Sequence, residues 1–165
     1  MMLVSGSATV SWGQFELQVP DLAEQIRTRF ESHIHAVLGT LRSDGSPRLS
    51  GIEVPIRDGH LWLAMMSGSL KATDLHQDPR FSLHSSLDTE ELLFGDARID
   101  GQAVGATPEE VEVFVAGHRM PIDDPDAMVL FIACISRAVL TRVEGQELVI
   151  DTWTPSDGFR EIRRI

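Results

Sequence analysis

The stretch HAVLGTLRSDGSPRLSGIEVPIRDGHLWLAMM, residues 35–66, indicates the fold class of this chain. The acid–glycine pairs Asp44-Gly45 and Asp58-Gly59 divide it into runs that are rich in aliphatic and β-branched residues. Such pairs between apolar runs are typical of tight β-hairpin turns. The stretch therefore predicts three consecutive antiparallel strands: 35–42, 48–57 and 60–66.

The same alternation of apolar runs and turn signals continues through most of the chain. It predicts four further strands and an N-terminal strand with a bulge near Gly13. These strands are 80–86, 93–104, 128–143, 148–153 and 9–19. Many antiparallel strands with few helices favour a mainly β fold, a closed or half-closed antiparallel barrel that forms one domain over residues 1–165.

Three short helices are predicted between the strands from their capping residues. Asp21 with Glu24 three positions later has the form of a capping box, with Leu22, Ile26 and Phe30 on one helix face. Thr107 caps a second helix that begins at Pro108 and carries Glu110 at its third position, and it should bury Val111, Phe114 and Val115. A third helix spans about 70–77 and ends before Asp78-Pro79.

Composition and charge exclude several classes of partner. The 165 residues carry a formal net charge of −11 at pH 7, which disfavours binding to nucleic acid or to an anionic membrane surface. Cys134 is the single cysteine, so no internal disulfide can form, and its apolar surroundings predict a buried thiol. The first residues lack a basic region and no apolar stretch has the length of a membrane span, so we expect a cytoplasmic protein.

The segment Ser67-Gly68-Ser69-Leu70-Lys71 is a candidate phosphate cradle. It follows a predicted strand and opens a predicted helix, whose free N–H groups and partial positive charge favour an anion. Lys71 is the single lysine among fourteen basic residues and adds a full charge beside the two serine hydroxyls. The alternative is that Ser69 only caps the helix and Lys71 is solvated.

The order and spacing of several motifs resemble the pyridoxamine 5'-phosphate oxidase-like family of FMN-binding split barrels over residues 33–165. The matching pieces are Gly45-Ser46-Pro47-Arg48, Ser69-Leu70-Lys71, DLHQDPRFSL at 74–83, GDARIDG at 95–101 and DTWTP at 151–155. The resemblance implies a homodimeric split barrel with cofactors in clefts between the subunits. It also implies a phosphate site and a ring site, with these cofactor-binding residues: Arg48, Ser50, Gly51, Ile52, Ala64, Met65, Ser69, Lys71 and Trp153, the last reaching across from the partner subunit.

Departures from the family pattern narrow the expected activity. Leu70 stands where the family's S-R-K motif has arginine, and the arginine–histidine pair that holds pyridoxamine phosphate is not recognisable. We therefore expect no vitamin B6 oxidase. The lysine-only motif and the spacing of Trp153, Pro155 and Gly158 resemble the branch that uses the deazaflavin F420.

The expected function is that of an oxidoreductase that uses F420 or FMN to transfer hydride to a small organic substrate. The alternative is a non-catalytic carrier or sensor that binds flavin, deazaflavin or haem. The cofactor carries the hydride chemistry, so no catalytic acid or base is assigned. The six histidines show no ligand spacing and the acidic run 123–126 lacks the pattern of a calcium loop, so no metal site is expected.

Overall fold

The computed structural model describes residues 8–87, 94–118, 122 and 124–165. Six antiparallel strands form a closed ring in the order β4-β2-β1-β5-β6-β7, and pairing between β4 and β7 completes it. The predicted antiparallel barrel is therefore confirmed. Its strands are β1 His35–Leu41, β2 Pro47–Glu53, β4 His60–Met66, β5 Arg80–His84, β6 Asp96–Gly105 and β7 Met128–Glu144.

Three more strands extend the sheet outside the ring. The short strand β3, Ile56–Arg57, pairs with β4 through the turn at Asp58-Gly59, where both residues have positive φ. Strand β7 is 17 residues long, and its second half pairs with β8, which in turn pairs with β9. These last two strands are Glu147–Thr154 and Gly158–Arg164.

The predicted N-terminal strand over 9–19 is wrong. Residues Trp12–Gln18 form helix α1, and only Val10 keeps a strand-like bridge, to Ile135 of β7. Ser11 and Gln14 cap this helix reciprocally, each accepting a hydrogen bond from the other's backbone N–H. Trp12 and Phe15 lie three residues apart, and the helical period buries both against the barrel.

The second helix, α2, Pro20–Glu31, begins two residues earlier than its predicted cap Asp21 implies. Val19 is its N-cap residue and makes no side-chain hydrogen bond, while Pro20 occupies the first position and Asp21 lies in the first turn. Proline suits this position because its missing N–H would be unsatisfied there in any case. The predicted apolar face is correct, since Leu22, Ile26 and Phe30 are buried.

Helices α3, Leu70–Gln77, and α4, Pro108–Ala116, begin where their capping residues predict. Ser69 accepts a hydrogen bond from the Ala72 N–H, and Thr107 forms a capping box with Glu110. Helix α4 buries only Phe114, and Val111 and Val115, which are predicted to be buried with it, are half-buried. Phe114 packs with Trp62, Leu130 and Ile132 in a small cluster on the outside of β4 and β7.

The main core fills the barrel and the space under α1 and α2. Cys134 of β7 lies between the core residues Ala133 and Ile135 and is half-buried, so its predicted full burial is wrong. Partial burial raises the pKa of its thiol. Among the described residues, no helix is long and apolar enough to cross a membrane.

Candidate functional site

A cleft of about 360 Å³ opens where strands β2 and β4 separate. The two strands pair only through Glu53 and Ala64, so their remaining backbone groups diverge on either side of that point. On its other edge β4 pairs with β7 over Trp62–Met66, so the barrel is closed there and the gap lies on the β2 side of β4.

The floor of the cleft contains four residues that the sequence predicts for the ring site. Gly51 and Ile52 line it from β2, and Ala64 and Met65 line it from β4. A Cβ atom added to Gly51 would meet nothing within 4 Å, so the strand backbone is open to a flat group at this point. The volume falls within the range of small-molecule sites.

Lys71 stands at the edge of the same cleft. Its Nζ donates a hydrogen bond of 2.7 Å to the carbonyl oxygen of Gly51, and its side chain is half-buried. Because it lies in the first turn of α3, its charge adds to the partial positive charge of the helix N-terminus. Ser69, the N-cap residue, is also half-buried there and already accepts a hydrogen bond from the Ala72 N–H.

Arg48 and Ser50 lie on β2 outside the set of residues that line the cleft. Arg48 donates from Nε to the Asp74 carboxylate over 2.7 Å, and Thr40 donates to the same oxygen over 2.7 Å. The Arg48 hydrogen bond is the main reason that the pKa of the buried Asp74 carboxyl lies below its ordinary value. Ser50 is half-buried between Arg48 and Ile52, on the same face of the strand.

Trp153 does not belong to this site, and its prediction as an aromatic contact from the partner subunit is wrong. The side chain is 1% exposed and packs against Phe15 of α1, with ring centroids 4.9 Å apart. A residue enclosed by its own core cannot reach a cofactor in a neighbouring subunit.

The opposite wall of the cleft is absent from the sequence-based prediction. Phe114 and His118 line it from the end of α4, and Met66 and Met128 line it from strand ends. Arg57 of β3 holds this wall: its Nη2 donates to the Phe114 carbonyl over 2.5 Å, and its guanidinium lies 4.7 Å from the ring centroid. These contacts join segments that are more than fifty residues apart in the sequence, so no local sequence pattern predicts them.

His35 and Glu53 lie at the mouth of the cleft, with 3.8 Å between the imidazole Nε2 and the carboxylate. The described part of the chain holds no group of three or more histidine, cysteine, aspartate or glutamate side chains placed to bind a metal ion. The acidic run 123–126 lies partly outside the described residues; within it, Asp124 caps the single turn of 3₁₀ helix at Pro125–Ala127.

Comparison with protein-family models and with curated proteins gave no match to this chain. Solved structures do match. A pyridoxamine 5'-phosphate oxidase-related, FMN binding protein from Nostoc punctiforme is 11% identical, with a TM-score of 0.63 over 88% of this chain and 95% of that protein. This chain has the fold of the pyridoxamine 5'-phosphate oxidase-like proteins.

Two further matches concern other cofactors. A heme binding protein from Mycobacterium smegmatis is 21% identical with a TM-score of 0.66; the match covers 81% of this chain and only 57% of that longer protein. An F420 reductase is 14% identical with a TM-score of 0.50, over 64% of this chain and 88% of that chain. At these identities the shared property is the split-barrel fold.

Proposed function

We propose that this chain is an oxidoreductase that binds F420 or FMN in the cleft between β2 and β4 and transfers hydride to a small organic substrate. The observation that carries the proposal is the half-buried Lys71 ammonium at the edge of an open, mostly apolar cleft. A phosphate-bearing flat cofactor needs this combination, a cation at one end and an apolar floor along the rest.

The residues present fit such a cofactor. Lys71, Ser69 and Arg48 would hold the phosphate, since they offer an ammonium, a hydroxyl and the two guanidinium amino groups that Asp74 leaves unoccupied. The backbone at Gly51 and Ile52, with Ala64 and Met65 opposite, would support the ring. The bound cofactor supplies the hydride chemistry, and the chain's own contribution is to orient the ring and keep water from it.

The choice between the two cofactors depends on Leu70. This side chain is 62% exposed at the start of α3, where the family motif has arginine, and it offers no hydrogen bond to a phosphate. A site with one arginine fewer suits a phosphate of lower charge. We therefore place F420 first and FMN second.

The proposal includes a homodimer. Exposed apolar side chains surround the site on the outer face of the barrel, among them Val37 on β1, Leu49 on β2 and Met66 on β4. Leu49 is 76% exposed, and a second copy of this face would remove such surface from water. Dimerisation would also close the open side of the cleft.

Titration of the cofactor-free protein with F420 and with FMN, followed by fluorescence, tests the proposal. We expect binding at micromolar concentration or tighter for one of the two, and oxidation of the reduced cofactor that is faster when a substrate is present. Binding without turnover on any substrate in a broad screen would favour a carrier or sensor. Binding of neither cofactor would contradict the proposal.

Haem is the second candidate ligand, because His35 and His118 both line the cleft and one structural match is a haem-binding protein. Titration with haemin, followed by the absorbance of the porphyrin, tests it. Loss of a histidine-ligated spectrum in a His118→Ala variant, but not in His35→Ala, would identify the ligand. A spectrum that is unchanged in both variants would contradict the hypothesis that either histidine binds haem.

A further inference from the structure

Asp74 is a buried carboxylate that the proposed function does not itself use. Asp74 lies in α3, about one helical turn after Lys71, and is 4% exposed. A buried carboxylate is costly unless its partners satisfy it. Here they do, since both Thr40 of β1 and Arg48 of β2 donate to it.

We propose that Asp74 is a positioning residue that holds the Arg48 guanidinium for the cofactor phosphate. This inference rests on the proposed function. An arginine side chain has five N–H donors in a fixed planar fork, so binding at Nε fixes the plane of the whole group. The Nε–H of Arg48 donates to Asp74, and both amino groups stay free of hydrogen bonds to the described residues.

Two contacts join helix α3 to strand β2, and each involves a cationic side chain, Arg48 or Lys71. Asp74 ties the helix to Arg48, and Lys71 ties it to the carbonyl of Gly51, three residues further along β2. At a rise of about 3.3 Å per residue, the two points of attachment on the strand are about 10 Å apart. Ser50 lies between them on the face that Arg48 shares.

A purely electrostatic role for Asp74 predicts the opposite effect on phosphate binding. The carboxylate offsets one of the two positive charges, so removing it would strengthen the attraction of any phosphate if charge alone decided affinity. If Asp74 instead orients Arg48, removing it frees a flexible side chain and weakens the phosphate contact. The direction of the change therefore separates the two roles.

The experiment compares FMN with riboflavin, which lacks the phosphate, in the full-length protein by flavin fluorescence. In Asp74→Ala we expect the preference for FMN over riboflavin to fall by about tenfold, the scale of one charge-assisted contact, with riboflavin affinity unchanged. Thr40→Val is the matched control, because it removes the other hydrogen bond to the same carboxylate oxygen and leaves the Arg48 contact. Its preference should equal that of the wild type.

Arg48→Lys keeps the test valid if Asp74→Ala does not fold. Lysine preserves the charge but not the planar fork, so the preference for FMN should fall here as well. An unchanged or increased preference for FMN in Asp74→Ala, or an unchanged one in Arg48→Lys, would overturn the positioning role. If F420 proves to be the ligand, F420 and its phosphate-free deazaflavin replace the pair.

The failure of the proposed function gives a different result. In that case the wild-type protein would bind neither member of either pair, or would bind the phosphate-bearing and phosphate-free forms equally. Either outcome would remove the phosphate site, and with it the role of Asp74.

Discussion

The Nζ of Lys71 lies 2.7 Å from the carbonyl oxygen of Gly51 and joins the first turn of α3 to strand β2. Replacement of Lys71 by alanine removes a full positive charge from the edge of the cleft. We expect the affinity for F420 or FMN to fall by about 1.5–3 kcal/mol, the range of a charge-assisted hydrogen bond. Fluorescence titration measures the change.

Arg164→Ala is the control for Lys71→Ala. It removes the same charge from β9, which does not line the cleft. Its cofactor affinity should match that of the wild type. Equal losses in both variants would show a general effect of net charge, and no loss in Lys71→Ala would contradict the phosphate site.

Trp153→Ala should destabilise the fold rather than weaken cofactor binding directly. The residue is buried against Phe15, and truncation of a buried large aromatic side chain typically costs about 3–5 kcal/mol. Phe159→Ala is its counterpart on the paired position of β9 and is half exposed, so its effect should be clearly smaller. Urea unfolding measures both. Normal stability with weaker cofactor binding in Trp153→Ala would restore its predicted role at the ring.

The Asp74 carboxyl should contribute to the pH dependence of stability. Its pKa in the folded protein lies below the ordinary value of 3.8 because Arg48 and then Thr40 donate hydrogen bonds to its charged form. The stabilisation is therefore complete above the unfolded-state pKa and is lost as the pH falls through the lower folded-state pKa. In Asp74→Asn, the free energy of unfolding should fall less between about pH 5 and pH 2 than in the wild type.

Asp44→Asn is the control for that pH profile. The pKa of Asp44 is also lowered, mainly by its hydrogen bonds with Ser46, but this carboxylate is fully exposed on a turn. Solvent screens such contacts, so the profile should stay close to that of the wild type. Denaturant titrations at a series of pH values measure the profiles. Identical profiles for Asp74→Asn and the wild type would show that the Asp74 contacts do not contribute to the pH dependence of stability.

Arg57→Met should loosen the α4 wall of the cleft. The variant keeps an apolar stem but loses the hydrogen bond to the Phe114 carbonyl and the contact between the cation and its ring. We expect faster hydrogen exchange at the amides of α4, with the barrel amides of β1 as the internal control. Equal acceleration in both elements would show global destabilisation instead.

Leu49→Lys should shift the protein from dimer to monomer. The charge would lie on the exposed face of β2 that the proposed dimer covers. Leu17→Lys is a suitable control because Leu17 is 85% exposed on α1, away from that face. Sedimentation velocity distinguishes the species. A dimer that survives Leu49→Lys would place the interface elsewhere.

Local signals predicted most of the barrel and two helix starts. Turns such as Asp58-Gly59 and caps such as Thr107 with Glu110 act within a few residues, so their physics is readable in the chain itself. Helix α1 was predicted as a strand because Val10 and Trp12 alternate, although Ser11 and Gln14 carry the form of a capping box. A short apolar segment is compatible with both the strand and the helix periodicity. Burial of Trp12 and Phe15 under the barrel favours the helix.

The sequence by itself determined the succession of the barrel strands and the cap of α3, because hairpins and caps are local, and the family resemblance named four residues that line the cleft floor. Only the tertiary structure decided the rest. It buried Trp153 in the core, bound Arg48 to Asp74, and brought the end of α4 to the cleft through Arg57. Each of these depends on which distant segments the closed barrel brings into contact, and that follows from packing of the whole chain.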